Sequence, residues 1–194
     1  MKIVVASRNA HKLREIAALF AESGLRFQLV NLDEVAPGVE LVEDEPTFDA
    51  NALTKARQAA LATGLPAIAD DSGIEVDALG GAPGVRSARY AGEPCNDARN
   101  NAKLLEALHG VPDPQRTARY RCSAAFVDGT REIVRGGKCE GRVLLAGRGT
   151  GGFGYDPLFF IESLGKTMAE ISAEEKNRIS HRAAAFRALA AALR

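Results

Sequence analysis

The side chains best suited to act on a charged ligand fall in four short segments of the sequence. Residues 7–12 (SRNAHK) and 176–182 (KNRISHR) carry cations, residues 70–73 (DDSG) carry adjacent carboxylates, and residues 151–157 (GGFGYDP) are rich in glycine. Cationic groups bind phosphate, and carboxylate oxygens bind hard metal ions such as Mg²⁺. The sequence therefore predicts an anion-binding site that includes a metal-binding carboxylate.

The first segment is predicted to bind phosphate. It separates a β-branched run at residues 2–6, which predicts a buried strand, from a helical pattern at residues 11–22. A helix N-terminus presents unpaired N–H groups and a partial positive charge, which favour a phosphate group. The pattern is not a Walker A loop, and the simpler alternative is an ordinary loop with Asn9 as helix cap. The candidate contacts are Ser7, Arg8, Asn9, Ala10, His11 and Lys12.

The second segment places Asp70 and Asp71 at the end of a short predicted strand, residues 66–69. Adjacent side chains of an extended segment point in opposite directions, so the two aspartates should have different roles. One could bind Mg²⁺ or a water molecule while the other supports it, and Glu43 could add a ligand. The alternatives are an Asx-turn for the DDSG sequence and a solvated face for residues 43–45.

The third and fourth segments are candidates for binding a flat ring. Phe153 lies between glycines and could stack on a base, or it could fill the core together with Tyr155. Lys176 and Ser180 are neighbours at i, i+4 on a helix, and His181 and Arg182 offer donors to carbonyl oxygens. The alternative for this last group is an exposed helix surface.

The elements that must position these residues predict an α/β fold. Helices are expected at residues 11–22, 47–63 and from 96 to before 110, and a strand at 26–31. Residues 117–127 alternate as a strand, and Asp-Gly at 128–129 predicts a hairpin. A capping box at Ser172 predicts a helix to about residue 193, with a break near Asn177. We expect a long mixed central sheet with flanking helices.

Bulk composition excludes several classes of protein. There are 25 Lys plus Arg and 25 Asp plus Glu residues, and this balance argues against a nucleic-acid-binding protein. Three cysteines without a C-x-x-C pair predict no disulfide framework and favour the reducing cytoplasm. No apolar run reaches the ~18 residues of a membrane span, and the N-terminal run is too short for a signal peptide. The length of 194 residues fits one domain, or two small lobes sharing a cleft.

Together the motifs resemble the inosine triphosphate pyrophosphatase family, which includes the dITP/XTP and non-canonical purine nucleoside triphosphate pyrophosphatases. The resemblance covers nearly the whole chain. It rests on S-x-N-x-x-K at 7–12, T-F-x-x-N-A-x-x-K-A at 47–56, LPAIADDSG-x-x-V-D-x-L-G-G-APG at 65–84, SARY at 87–90, GTGGFGYDP at 149–157 and E-E-K-N-x-x-SHR at 174–182.

The resemblance implies two lobes around a long mixed sheet, a homodimer, and Mg²⁺-dependent hydrolysis between the α- and β-phosphates. Within the 7–12 loop, Ser7, Asn9 and Lys12 take the triphosphate-contact positions, although His11 departs from the small residue that many members carry. Asp71 takes the position of the general base and metal ligand, Glu43 matches a second metal-site carboxylate, and Ser72 a substrate contact. The base-pocket positions are Phe153, Gly154, Tyr155, Asp156, Lys176, His181 and Arg182.

The expected substrates are ITP, dITP and XTP. Donors from His181 or Arg182 would suit a 6-oxo purine, and a donor facing position 2 would oppose the amino group of guanine. We place the dimer interface in residues 86–127. The alternatives are a pyrophosphatase for modified pyrimidine nucleotides, a nucleotide sensor without turnover, and a nucleic-acid-binding module.

Overall fold

The computed structural model describes all 194 residues of the chain, which form seven strands, six α-helices and three short 3₁₀ helices. The strands are β1 (Lys2–Val5), β2 (Gln28–Asn31), β3 (Ala67–Val76), β4 (Thr117–Val127), β5 (Glu132–Val143), β6 (Phe159–Ile161) and β7 (Lys166–Thr167). The helices are α1 (Ala10–Glu22), α2 (Leu32–Val35), α3 (Phe48–Thr63), α4 (Asp97–Ala107), α5 (Ala173–Ile179) and α6 (His181–Ala192). None of these helices has the length and apolar character needed to cross a lipid bilayer.

The strands form one mixed sheet in the order β2-β1-β3-β4-β5-β6-β7. β1 pairs in parallel with β2 and β3, whereas β6 pairs in antiparallel fashion with β5 and β7. Parallel neighbours require a crossover connection, and α1 provides it between β1 and β2. The predicted α/β class with a mixed sheet and flanking helices is confirmed.

Local capping signals fix most of the helix ends where the sequence predicts them. The Thr47 side chain accepts the backbone N–H of Ala50, and α3 ends at Gly64, which has a left-handed φ of 65°. Asn96 caps α4, and Ser172 forms the predicted capping box with Glu175 at the start of α5. These short-range hydrogen bonds depend on local sequence, which is why they are predictable.

Two predictions about element boundaries are wrong. The strand expected at residues 66–69 continues through the DDSG sequence as β3, so Asp70 and Asp71 lie inside a ten-residue strand and not in a turn or at its tip. The C-terminal helix breaks at Ser180, whose backbone is extended with ψ 154°, and not near Asn177. Pairing with sheet neighbours overrides the local turn preference of Asp-Asp-Ser-Gly.

The chain divides into two compact units. The first contains residues 1–71, 122–137 and 181–194, and the second contains residues 72–121 and 138–180. In the first unit two core clusters take alternate residues of β4: Ala124 and Phe126 belong to one, and Ala125 and Val127 to the other. The second unit has its own core, which includes Ile74, Leu104, Val143, Tyr155 and Phe159.

Candidate active site

The phosphate-loop candidate lies at the N-terminus of α1 in the first unit. The side chain of Asn9 accepts the backbone N–H groups of His11 (2.9 Å) and Lys12 (3.1 Å), so Asn9 is the helix cap. The Ser7 hydroxyl accepts the backbone N–H of Asn9 at 3.2 Å. Residues 7–9 therefore directly precede α1, and residues 10–12 form its first turn, so the whole segment lies at a helix N-terminus, where an anion is favoured.

Arg8 ties this segment to α2 and to the connector that precedes α3. Its Nε donates to Asp33 Oδ1 at 3.0 Å, and a terminal guanidinium nitrogen donates to the carbonyl oxygen of Val39 at 2.7 Å. The connector from residue 36 to residue 46 carries Glu43. Contacts of Arg8, Ala10 and His11 with a substrate remain predictions. Ala10 and His11 are exposed at the start of α1.

Asp70 is the centre of a buried ion network in the first unit. Lys12 Nζ lies 3.1 Å from Asp70 Oδ2, and Arg182 reaches the same oxygen through Nε at 3.2 Å and a terminal nitrogen at 3.1 Å. Burial alone would raise the pKa of Asp70, but the charges of Lys12, Arg182 and Lys55 hold it well below its usual range. The ionised form of Asp70 is thus favoured by the cations around it.

Asp71 has a different environment from its neighbour. Its Oδ2 accepts a hydrogen bond from the side-chain amide of Asn51 at 2.9 Å. Burial raises the pKa of Asp71, the charges of Lys55 and Lys12 oppose this shift, and the negative charge of Glu43 adds to it. A carboxylate with a raised pKa is a better proton acceptor than an ordinary aspartate, which suits the predicted general base.

Lys55 links the backbone of Asp70 to Glu43, and its position in the sequence did not predict this role. Its Nζ donates to the backbone carbonyl of Asp70 at 2.7 Å and lies 3.0 Å from Glu43 Oε1. Asn51 and Lys55 are both buried and stand four residues apart in α3, on the face that also buries Ala52 and Ala56. Polar residues at i, i+4 within an apolar helix face were the signal that could have identified them.

The donor set around Asp71 fits a hard divalent cation. The chain has no cluster of three or more His, Cys, Asp or Glu residues arranged for a metal ion. Mg²⁺ usually keeps several waters and uses one or two protein carboxylates together with substrate phosphates. Glu43 is near enough for its negative charge to raise the pKa of Asp71, and a cation would relieve that repulsion.

Arg182 and His181 belong to the first unit with Asp70. Besides Asp70, Arg182 contacts Glu15 Oε2 at 2.6 Å, and its side chain is 1% exposed. Burial opposes the charge of this guanidinium, but Asp70, Cys122 and Glu15 raise its pKa. Both His181 and Arg182 are buried, so the alternative of an exposed helix surface is wrong for them. Their predicted contact with a purine remains a prediction.

A second cluster of functional side chains lies in the second unit and centres on Asp156. The buried carboxylate accepts hydrogen bonds from the Tyr120 hydroxyl (3.1 Å), the Phe153 backbone N–H (3.0 Å) and Lys176 Nζ (2.7 Å). Lys176 Nζ in turn lies 4.7 Å from the centroid of the Phe153 ring, a cation–π contact. The cluster therefore joins three predicted base-pocket residues, and it adds Tyr120, which had no predicted role.

The glycine-rich segment forms a tight turn around Phe153. Gly152 and Gly154 have φ of 73° and 62°, values that favour glycine, and a Cβ at Gly152 would collide with the Asp156 carboxylate. Tyr155 is buried and its hydroxyl donates to the Ser87 carbonyl at 2.8 Å, so the core-filling alternative holds for Tyr155. Phe153 is only partly buried, which leaves ring surface for stacking.

Ser72 is the remaining predicted contact. It follows Asp71 in β3, is partly buried, and begins the second unit. Alternation along the strand separates its side chain from that of Asp71. Its contact with substrate remains a prediction.

Comparison with known proteins identifies close relatives over the full chain. The model described as Ham1 family matches residues 3–192. A dITP/XTP pyrophosphatase of Geobacter sulfurreducens is 53% identical over 186 residues, covering 95% of this chain and 92% of the relative. The one from Geobacillus kaustophilus is 52% identical, covering 95% of this chain and 90% of the relative.

Solved structures agree with this result. The Ham1 protein of Staphylococcus aureus superposes with a TM-score of 0.89 at 38% identity, and that of Coxiella burnetii with 0.89 at 42%. Each comparison covers 100% of this chain and 98% of the other.

Proposed function

Because the chain belongs to the Ham1 family, we propose that it is a nucleoside triphosphate pyrophosphatase that converts non-canonical purine nucleoside triphosphates, ITP, dITP and XTP, to monophosphate and pyrophosphate. Relatives that are about half identical over nearly the whole chain are named dITP/XTP pyrophosphatases. The observation that carries the proposal is the contrast at residues 70 and 71. Asp70 forms ion pairs with Lys12 and Arg182. Asp71 accepts a hydrogen bond from the Asn51 side-chain amide and has a raised pKa.

The cationic groups of the first unit are suited to a triphosphate. Lys12 lies in the first turn of α1, and its ammonium group carries three N–H donors. One of them faces Asp70 Oδ2 at 3.1 Å. The Ser7–Asn9 turn presents the helix N-terminus beside Lys12. Because phosphoryl transfer depends mainly on positioning and on neutralising charge, these fixed groups supply the largest catalytic contribution.

Asp71 would act as the general base. The Asn51 amide fixes one of its oxygens, and the raised pKa lets the carboxylate take a proton from an attacking water molecule. Mg²⁺, when bound, would neutralise the triphosphate and polarise the bond to be broken. Asp71 and Glu43 are the residues that would hold the ion, and Lys55 forms an ion pair with Glu43 at 3.0 Å.

The second unit would bind the base. Phe153 offers a partly exposed ring for stacking, and Asp156 holds Lys176 over that ring. His181 and Arg182, the candidate donors to a 6-oxo purine, belong to the first unit. We further propose that the protein acts as a homodimer in the cytoplasm, where it would remove damaged purines before polymerases use them. Its three free cysteines suit a reducing compartment.

A substrate panel tests the proposed reaction. We expect turnover of ITP, XTP and dITP to exceed that of GTP and ATP by at least about a hundredfold, because buried hydrogen bonds discriminate strongly between purines. Omitting Mg²⁺ in the presence of EDTA should abolish turnover. The assay compares released phosphate with released pyrophosphate and includes a modified pyrimidine nucleotide. Comparable GTP turnover contradicts the purine pocket, and tight ITP binding without pyrophosphate release would indicate a sensor.

The substitution Asp71→Asn tests the general base. An asparagine keeps an acceptor for the Asn51 amide but cannot take a proton, so kcat for ITP should fall by about 10²–10⁴-fold. The melting temperature should stay close to that of the parent chain. Glu106→Gln is the control. It also removes one negative charge, but from an exposed residue of α4. Full activity of the Asp71→Asn protein would exclude the proposed base.

A further inference from the structure

Helix α4 holds the turn next to Phe153 through both backbone polar groups of Gly154. The backbone N–H of Gly154 donates to Asp97 Oδ2 at 2.7 Å, and the Gly154 carbonyl accepts from Asn101 Nδ2 at 2.8 Å. Asp97 and Asn101 stand four residues apart, so they lie on the same face of α4. All of these residues belong to the second unit.

This clamp leaves the Phe153 turn little freedom. The Phe153 N–H donates to Asp156 Oδ2 at 3.0 Å, and the Phe153 carbonyl accepts the Asp156 N–H at 3.2 Å. With Gly154 fixed by α4, every backbone polar group of residues 153 and 154 has a named partner. The position of the Phe153 ring therefore depends on where α4 lies.

α4 is itself firmly anchored. Asn96 caps its N-terminus, and Leu104 is fully buried in the core of the second unit. Asn100 accepts the Ala91 N–H and donates to the Ala88 carbonyl, both at 2.8 Å, which fixes the segment before the helix. A clamp built on a rigid helix can position a side chain more precisely than a clamp built on a loop.

The hydrogen bond to Gly154 determines how the side-chain amide of Asn101 is oriented. Asn101 Oδ1 is buried and has no hydrogen-bond partner. Turning the amide over would place Oδ1 against the Gly154 carbonyl oxygen and lose the 2.8 Å bond. A buried acceptor without a partner is unfavourable. The hydrogen bond from Asn101 Nδ2 to the Gly154 carbonyl therefore offsets the cost of leaving Asn101 Oδ1 without one.

We propose that Asp97 and Asn101 are positioning residues that determine base selectivity by fixing the Phe153 ring through Gly154. The proposal rests on the proposed function, because the ring selects a base only if the pocket binds a purine. The two residues hydrogen-bond to the turn and act through it. Their loss should weaken recognition of the base and spare the binding of pyrophosphate.

The kinetic experiment compares Asp97→Ala with Asp97→Asn and with Glu106→Ala. Asp97→Ala removes the acceptor for the Gly154 N–H, whereas Asp97→Asn keeps one, and Glu106→Ala removes an exposed negative charge from the same helix. We expect the ITP-to-GTP ratio of kcat/KM to fall about tenfold in Asp97→Ala, mainly through KM for ITP, and to recover in Asp97→Asn. Inhibition by pyrophosphate should be unchanged in all three variants. An unchanged ITP-to-GTP ratio in Asp97→Ala overturns the proposal.

A fluorescence experiment tests the positioning role without relying on turnover. The chain contains no Trp, so Phe153→Trp places a unique fluorophore at the ring position. Adding Asn101→Asp sets a carboxylate oxygen against the Gly154 carbonyl with almost no change in shape. This should lower the tryptophan anisotropy and raise its quenching by acrylamide, and adding Glu106→Ala should do neither. If Asn101→Asp leaves both signals unchanged in a folded protein, the proposal fails, whatever the substrate. If the parent chain does not hydrolyse ITP, the proposed function fails while this result still decides whether α4 fixes the ring.

Discussion

Asp70 and Asp71 are neighbours in the sequence but have opposite electrostatic environments. Asp70 is surrounded by Lys12, Arg182 and the more distant Lys55, which lower its pKa despite full burial. Asp71 is buried with weaker compensation and has a raised pKa. The alternation of side chains along β3 makes this possible, because successive residues face different surroundings. Asp70 is therefore a partner of buried cations, and Asp71 is the aspartate for which we propose a chemical role.

This difference predicts opposite consequences for two isosteric substitutions. Asp70→Asn removes the negative charge that Lys12 and Arg182 share, and it leaves a buried guanidinium with Glu15 as its remaining carboxylate partner. Breaking a buried ion network from one side destabilises proteins by about 3–5 kcal/mol. We expect a loss of that size in the free energy of unfolding, measured by urea titration.

Asp71→Asn is the matched control for this loss. The asparagine retains an oxygen for the Asn51 amide, so its free energy of unfolding should change by less than about 1 kcal/mol. Equal stability of the two variants would show that the ion network around Asp70 contributes nothing to the fold.

The functional residues that could be predicted are those with a local signal. Asn9 is recognisable as a cap and Phe153 as an aromatic between glycines, and both features are present in the structure. Lys55 and Tyr120 have roles only through partners far away in the chain, namely Glu43 with the Asp70 carbonyl, and Asp156. Spacing alone does not reveal such partners, so these residues were missed.

At the scale of elements, the start of α5 controls the position of Lys176. The Ser172 hydroxyl accepts the Glu175 N–H at 3.1 Å, and the Glu175 side chain accepts the Ser172 N–H at 2.9 Å. α5 spans only seven residues, so its end effects weigh heavily in its stability. Lys176 lies in the turn that follows and reaches Asp156.

Ser172→Ala should therefore destabilise the protein measurably. Loss of a serine N-cap typically lowers stability by about 1 kcal/mol, and we expect that decrease in the free energy of unfolding from denaturant titration. KM for ITP should also rise, because fraying of α5 moves Lys176. The control is Ser163→Ala, an exposed serine outside any helix. Similar unfolding midpoints for the two variants would contradict a stabilising role of the capping box.

Element boundaries were predictable where local chemistry sets them and not where the sheet does. Thr47 and Gly64 bound α3 as expected, since capping needs only neighbouring residues. β3 runs through Asp70–Ser72 because it pairs with a long strand, β4, which overrides the local turn preference of these residues. The break at Ser180 likewise follows from tertiary structure, because α5 and α6 belong to different units.

At the scale of the whole molecule, the segments that make up each of the two units could not be read from the sequence. The first is assembled from three separated segments and the second from two, so no boundary falls at a single linker. Core residues from all three segments meet in the first unit, for example Ile16, Phe126 and Phe186 in one cluster. Such pairing at long sequence separation is invisible to periodicity.

The proposed homodimer gives a prediction at this scale. Sedimentation equilibrium at micromolar concentration should give about twice the chain mass of 20.6 kDa. The interface is proposed to lie in residues 86–127, where Ala102 is an exposed residue of α4. An arginine at Ala102 adds bulk and charge to a surface that a dimer would pack closely and keep poor in charge. We expect Ala102→Arg to weaken association by about tenfold or more.

Ala21→Arg is the matched control, since Ala21 is exposed in α1, outside the proposed interface. It should sediment as a dimer at concentrations at which Ala102→Arg dissociates. Dissociation of Ala21→Arg with an intact Ala102→Arg dimer would place the interface on the α1 side of the chain. A parent chain that sediments at 20.6 kDa would exclude the dimer itself. Because a two-fold interface presents the same patch from each copy, one substitution alters it twice, which makes the comparison sensitive to small changes.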